Sequence, residues 1–223
     1  MSGIAQTIRG LLEGSFRALP VLIFGWALFV GSTTGNVGLL VLALGHATVV
    51  PLLTWILHTI ASFLGDYGKI LFTMPASSTC SILPGGFTDP MERIYSFPSY
   101  WLAHIAFFFG FLITNANYVL NMPAAENAPA DKVERRKSQA QLVVLLAWIF
   151  FGVFLFVRKF IMRCEADVGM ALGGLAFWWV GYGWYQFARE CSVKDSDLFG
   201  IVQGILPPGA SDPPPTTCVY TGN

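Results

Sequence analysis

Three histidines fall inside long uncharged stretches of this 223-residue chain: His46, His58 and His104. Thr54, His58 and Ser62 are spaced i, i+4, i+8, so on a helix they share one face, with Pro51 just before them. Inside a membrane such a polar face turns towards a bundle interior or a cavity. There it could line a proton path or a solute path, or supply imidazoles to a haem. The accompanying chemistry is missing. No Asp or Glu lies within these stretches to act as a relay. His46 and His58 are twelve residues apart, about 120° around a helix, so they make no common ligand face. Hydrogen bonding between helices is the plainer use of all three, and no cofactor or metal is expected.

Enzyme motifs are equally thin. Ser96 and Ser99 followed by His104 invite comparison with the PSGH core of membrane lipid phosphatases. In that core the histidine follows the serine closely, and Arg-rich motifs flank it; neither condition is met. No G-x-S-x-G, H-E-x-x-H or phosphate-loop pattern occurs. The chain does not read as an enzyme.

The elements that must position these side chains are marked by missing charge. No Asp, Glu, Lys or Arg occurs in residues 18–65, 94–125, 138–157 or 168–188. A helix needs about 20 apolar residues to cross a bilayer. Only 12% of residues are charged, against about 25% in a soluble domain, and mean hydropathy is +0.59. The expected fold is an all-α, polytopic transmembrane helix bundle. Zero net charge gives no global field to draw in nucleic acid.

Five spans are expected. The first gap breaks at the turn-rich run 31–36 into a transmembrane hairpin over 18–64, whose short first arm is either a thin span or re-entrant, leaving four spans. Pro51 should kink the second arm. A polar loop covers 65–97, and a three-helix transmembrane region covers 98–188. Residues 1–17 do not read as a cleavable signal. Ile4, Ile8, Leu11 and Leu12 there form an apolar stripe suited to an interfacial amphipathic helix. Residues 189–223 give a second amphipathic helix and a Pro-rich tail. With five spans, seven Lys and Arg fall on the N-terminal side and six on the other, so charge bias sets no orientation.

Lys132, Arg135, Arg136 and Lys137 stand directly before the fourth span. Such a cluster attracts anionic lipid headgroups at about 1 kcal/mol per charge, or meets an acidic partner surface. Asp131 and Glu134 dilute it. Asn115, Asn117, Asn121, Gln139 and Gln141 read as polar glue at helix ends. Gly169, Gly173, Ala176 and Gly181 would let the fifth helix pack closely, the first two in a GxxxG spacing.

Cys80 and Cys164 lie in loops on one membrane side, and Cys191 and Cys218 in the tail. Topology therefore permits Cys80–Cys164 and Cys191–Cys218 and forbids the crossed pairings; free interfacial thiols are the alternative. Bridges on both faces would require oxidising conditions on both, which a cellular membrane seldom offers.

Four runs carry a resemblance: FPSYWLAHIAFFFGFLITNA at 97–116, VERRKSQA at 133–140, GYGWY at 181–185 and PPTTCVYT at 214–221. Together they resemble multi-pass membrane proteins of nucleocytoplasmic large DNA viruses, over about residues 95–221. The resemblance implies a structural protein of the virion's internal membrane, linking it to capsid or core, with no active site to transfer. Its partners would be membrane lipids, capsid or other virion proteins, and a second copy of the chain, with no specific nucleic acid. Viruses of this kind commonly encode a thiol oxidase, which would reconcile disulfides on both faces. The alternative function is a small transporter or channel subunit with its polar face around His58.

Overall fold

The computed structural model describes residues 2–75, 80, 93–95, 97–124 and 128–191. They form an all-helical bundle apart from one three-residue strand pairing. The first helix ignores the expected division at residue 17. α1 (Ser2–Thr34) runs unbroken through the proposed interfacial segment and the first arm. Its apolar part, Glu13–Thr34, has 22 residues, so the arm is not short. The turn-rich run stays helical because Thr33 and Thr34 donate their hydroxyls back to the carbonyls of Phe29 and Val30, at 2.9 and 2.7 Å. The chain reverses only at Gly35, whose φ of +68° lies where glycine carries no steric cost. Asn36 then caps the next helix by accepting from the Leu39 amide at 3.1 Å.

α2 (Val37–Leu44), a π-helical turn at Gly45–Val49 and α3 (Val50–Ser62) form one continuous span. Pro51 has no N–H to donate, and the widened turn sits immediately ahead of it. The segment expected as a polar loop contains a helix and a strand pair. It begins with α4 (Gly65–Phe72), and β1 (Thr73–Pro75) pairs antiparallel with β2 (Arg93–Tyr95), Met74 opposite Ile94. α5 (Tyr100–Asn121) follows, then α6 (Ala130–Phe156) with a π-helical turn at Val157–Ile161, then α7 (Asp167–Cys191).

Among the described residues, four helices are long and apolar enough to cross a membrane: Glu13–Thr34, Val37–Ser62, Tyr100–Asn121 and Ala130–Ile161. α7 is not among them, because glycines and interfacial aromatics dilute its apolar character. α5 is the centre. Of its apolar window, 78% is buried, against 17% in α1 and in α6. The outer helices therefore turn a broad apolar surface, including Leu22, Phe29, Trp55, Leu145 and Leu175, away from the bundle. In water that surface would be a liability; in hydrocarbon it is the solvated face.

Pro20 shows how the bundle repairs its own breaks. A proline inside a helix leaves the carbonyl four residues earlier without a donor. That carbonyl belongs to Phe16, and the Trp101 indole N–H of α5 donates to it at 2.9 Å. The two rings also stack, with centroids 4.8 Å apart. Trp101→Phe keeps the ring and deletes the donor. An unfilled carbonyl in a buried site costs about 1–3 kcal/mol, so the variant's thermal midpoint in detergent is expected to fall by about 5 °C. An unchanged midpoint would show that the bond contributes nothing.

Candidate functional site

Buried polar groups gather at three levels of the bundle. Within the membrane, the π-helical turn carries His46, which is 2% exposed, opposite His104 of α5, which is 6% exposed. Their Nδ1 atoms lie 2.8 Å apart. The ring planes differ by 4° and the centroids by 5.1 Å. That separation is a hydrogen bond plus two imidazole half-widths, so the rings lie end to end in one plane and are not stacked face to face. One Nδ1 must donate and the other accept, which makes the two tautomers interdependent. His46 Nε2 is buried without a partner. Gly45 permits the approach, since a Cβ there would collide with the Phe107 ring and lie 2.6 Å from Trp184 Nε1. Trp184 in turn donates to the Val41 carbonyl at 2.9 Å.

A groove of about 260 Å³ lies over this pair. Pro20, Val21 and Phe24 of α1 and Pro51 of α3 wall it, and Tyr100 stands beside His104 with ring centroids 4.6 Å apart.

At the α5 N-terminus a denser network forms. Ser99 begins α5, and its hydroxyl donates to Glu165 Oε1 at 2.6 Å. The same carboxylate oxygen accepts from Arg158 Nε at 3.0 Å. Arg158 Nη2 donates to the Cys80 carbonyl at 2.7 Å, and its guanidinium lies 5.0 Å from the Trp101 ring centroid. Cys80 is disulfide-bonded to Cys164. Lys159 adds a bond to the Glu165 carbonyl and an ion pair with Asp167, at 3.0 and 2.7 Å. Arg163, with φ of 55°, turns the chain so that Glu165 faces back towards Arg158. Burial holds the Glu165 carboxyl above its ordinary range, while Arg158, Ser99 and Lys159 pull it back.

At the opposite end of α5, Arg136 turns inward. It is 1% exposed and donates Nη2 to the Met122 carbonyl, while Nε and Nη1 have no partner. Arg189 of α7 lies over the Tyr118 ring at 3.7 Å. Asn115 is buried here, Asn121 donates to the Asn117 carbonyl at 2.7 Å, and Gln139 Oε1 is buried without a partner.

The residues singled out in the sequence are placed as follows. Thr54 is half-buried, but His58 and Ser62 are exposed on the outer face of α3, and Ser62 bonds back to the Thr59 carbonyl. The helical spacing holds, yet the face it defines does not point into the bundle. Of the basic cluster, Arg135 and Lys137 are exposed, Lys132 is half-buried, and Arg136 is consumed internally. Cys80 and Cys164 meet; Cys218, the Cys191 side chain and the expected tail helix and Pro-rich arm lie outside the described residues. The Arg158–Glu165–Ser99 network was not anticipated. The signal available was two acidic and three basic residues crowded into the short segment 158–167 between two apolar runs. Among the described residues no group of three or more His, Cys, Asp or Glu could hold a metal.

Fold and site together define the class: an all-helical bundle of membrane-spanning length, pinned by buried polar contacts near both ends of its central helix. No protein-family model, curated protein or solved structure matches the chain.

Proposed function

We propose that this chain is a structural integral membrane protein of a large DNA virus particle, set in the virion's internal membrane and linking it to capsid or core. The observation that carries the structural part is the use made of buried charge. Arg158, Glu165 and Ser99 are spent on one another and on the Cys80 carbonyl, tying the α5 start, the α6 end and the Cys80 segment together. Catalytic and transport sites keep such groups turned towards a cavity or solvent path. Here they serve cohesion. The viral part rests on the resemblance over residues 95–221.

In this reading α7 is a fifth span. Its 25 residues reach about 37 Å at 1.5 Å per residue, longer than a hydrocarbon core of about 30 Å. It lies along α5, and Asp167 and Arg189 mark its ends. Five spans put the Cys80–Cys164 bridge on the same side as the N-terminus. Lys132, Arg135 and Lys137 then face the other side, where anionic lipid or an acidic partner surface would meet them.

The transport reading centred on His58 gains nothing from its position on the outer face. The His46–His104 pair does not replace it as a relay, because His46 Nε2 ends in a buried position with no partner.

The test is mass spectrometry of purified, protease-shaved particles of the encoding virus, run without reduction. The chain is expected within the particle, with a linked Cys80–Cys164 peptide and protection of all five spans. Its absence from purified particles would overturn the proposal.

A further inference from the structure

The groove above the His46–His104 pair is the feature of the bundle that cohesion does not explain. Its walls are Pro20, Val21, Phe24 and Pro51, and Val21 is 50% exposed, so it opens sideways between α1 and α3 towards the surrounding hydrocarbon. Its floor is polar. A π-helical turn and a glycine that admits no side chain bring two imidazoles into one plane there. Turns of this kind recur at functional sites. A helix pair that needed only packing would be served by apolar side chains at both positions.

We propose that the groove is a binding site for an uncharged membrane lipid carrying a hydroxyl, with that hydroxyl hydrogen-bonded to His104 and the adjoining carbon skeleton held against Pro20, Phe24 and Pro51. Two observations select this class. First, the lining carries no carboxylate, lysine or arginine, so an ionised head would be buried without compensation. Second, the shared Nδ1 bond makes one outer imidazole nitrogen a donor and the other an acceptor. A hydroxyl satisfies either state of His104, whereas a carbonyl satisfies only one. Such a hydroxyl belongs to a sterol or a diacylglycerol, whose carbon skeleton matches the apolar walls made by Pro20, Phe24 and Pro51. A volume of about 260 Å³ suits the head and first ring or glyceride neck of such a lipid, the remainder extending into the bilayer.

The full chain, reconstituted in phosphatidylcholine nanodiscs, would be irradiated with a photoactivatable cholesterol analogue or, separately, a photoactivatable diacylglycerol, and the adducts mapped by mass spectrometry. The two arms distinguish the sources of the hydroxyl. Saturable labelling by at least one probe is expected, concentrated on residues 20–24, 47–51 and 100–104. Ala47 is exposed at the groove, so Ala47→Trp fills the space without disturbing the core and should cut labelling at least fivefold. His104→Phe should do the same, while His104→Gln, which keeps a donor and an acceptor, should retain at least half. Labelling spread evenly over the outer faces of α1, α3 and α6 would overturn the proposal. So would labelling indifferent to Ala47→Trp or to His104→Phe.

Discussion

Glu165→Ala is expected to lower the thermal midpoint of the detergent-solubilised protein by about 10 °C. Arg158 is 0% exposed, and its contacts include the Glu165 carboxylate, the Cys80 carbonyl and the Trp101 ring. Removing the carboxylate takes the Glu165 counter-charge away from a buried cation. Breaking a buried pair on one side costs about 3–5 kcal/mol, and for a chain of this length that is a shift of about 10 °C. Ser99 loses its acceptor as well, at the residue that caps α5. The pair as a whole is a different matter. Burial works against the charged form of Glu165, so Coulombic attraction is offset by desolvation. Arg158→Met with Glu165→Leu is therefore expected to recover more than half of the loss. A double variant as unstable as Glu165→Ala would show that the Cys80 carbonyl bond, which methionine cannot make, holds the network together. Glu165→Ala within 2 °C of the parent would remove the network from any account of the fold.

The apolar spans were legible because charge is excluded from hydrocarbon, and a gap in charge survives any detail of packing. The uncharged stretch 94–125 contains α5, and 138–157 lies in α6 with its π-helical turn; 168–188 is helical in α7 but less apolar than the four spanning helices. Helix ends were less legible. α6 begins at Ala130, well before its apolar part, since residues 130–138 are good helix formers whatever their charge. α1 absorbs the segment assigned to the interface despite the helix-weakening Gly3, Gly10 and Gly14. What the sequence could not show is which face of a helix meets which neighbour. Thr54, His58 and Ser62 do share a face, but periodicity carries no information about whether that face turns inward. His46 and His104 are 58 residues apart, and only the crossing of two helices brings them together. Arg136 looked like its exposed neighbours Arg135 and Lys137; a single helical position separates an exposed cation from a buried donor to Met122.

The packing of α7 against α5 depends on two glycines, and their replacement is the other large effect. Gly181→Ala is expected to destabilise the bundle by about 3 kcal/mol or more, and Gly181→Leu to leave no monodisperse protein in detergent. A Cβ on Gly181 would collide with the Phe107 carbonyl oxygen and lie 2.9 Å from the Phe111 amide nitrogen. A Cβ on Gly110 would collide with the Trp178 carbonyl oxygen. In both cases the obstacle is backbone, which no rotamer change can move, so the helices must separate. Separation would open the densest contact of α5, including Phe107, Phe111, Phe177 and Tyr185. Close backbone approach at small residues is how membrane helices gain packing where hydrocarbon gives no hydrophobic drive. The GxxxG pair predicts the opposite ranking. A Cβ on Gly169 or Gly173 would meet side chains at 3.5 Å or more, an ordinary contact. Gly169→Ala is therefore expected to change stability by less than about 1 kcal/mol. Gly183 has nothing within 4 Å, so Gly183→Ala should be neutral or slightly stabilising through helix propensity. Thermal unfolding of the four alanine variants, Gly110, Gly169, Gly181 and Gly183, separates geometry from motif. Loss confined to Gly110 and Gly181 locates the α5–α7 crossing between Phe107 and Trp178, whereas loss at Gly169 with Gly181 tolerated would place it about three turns away.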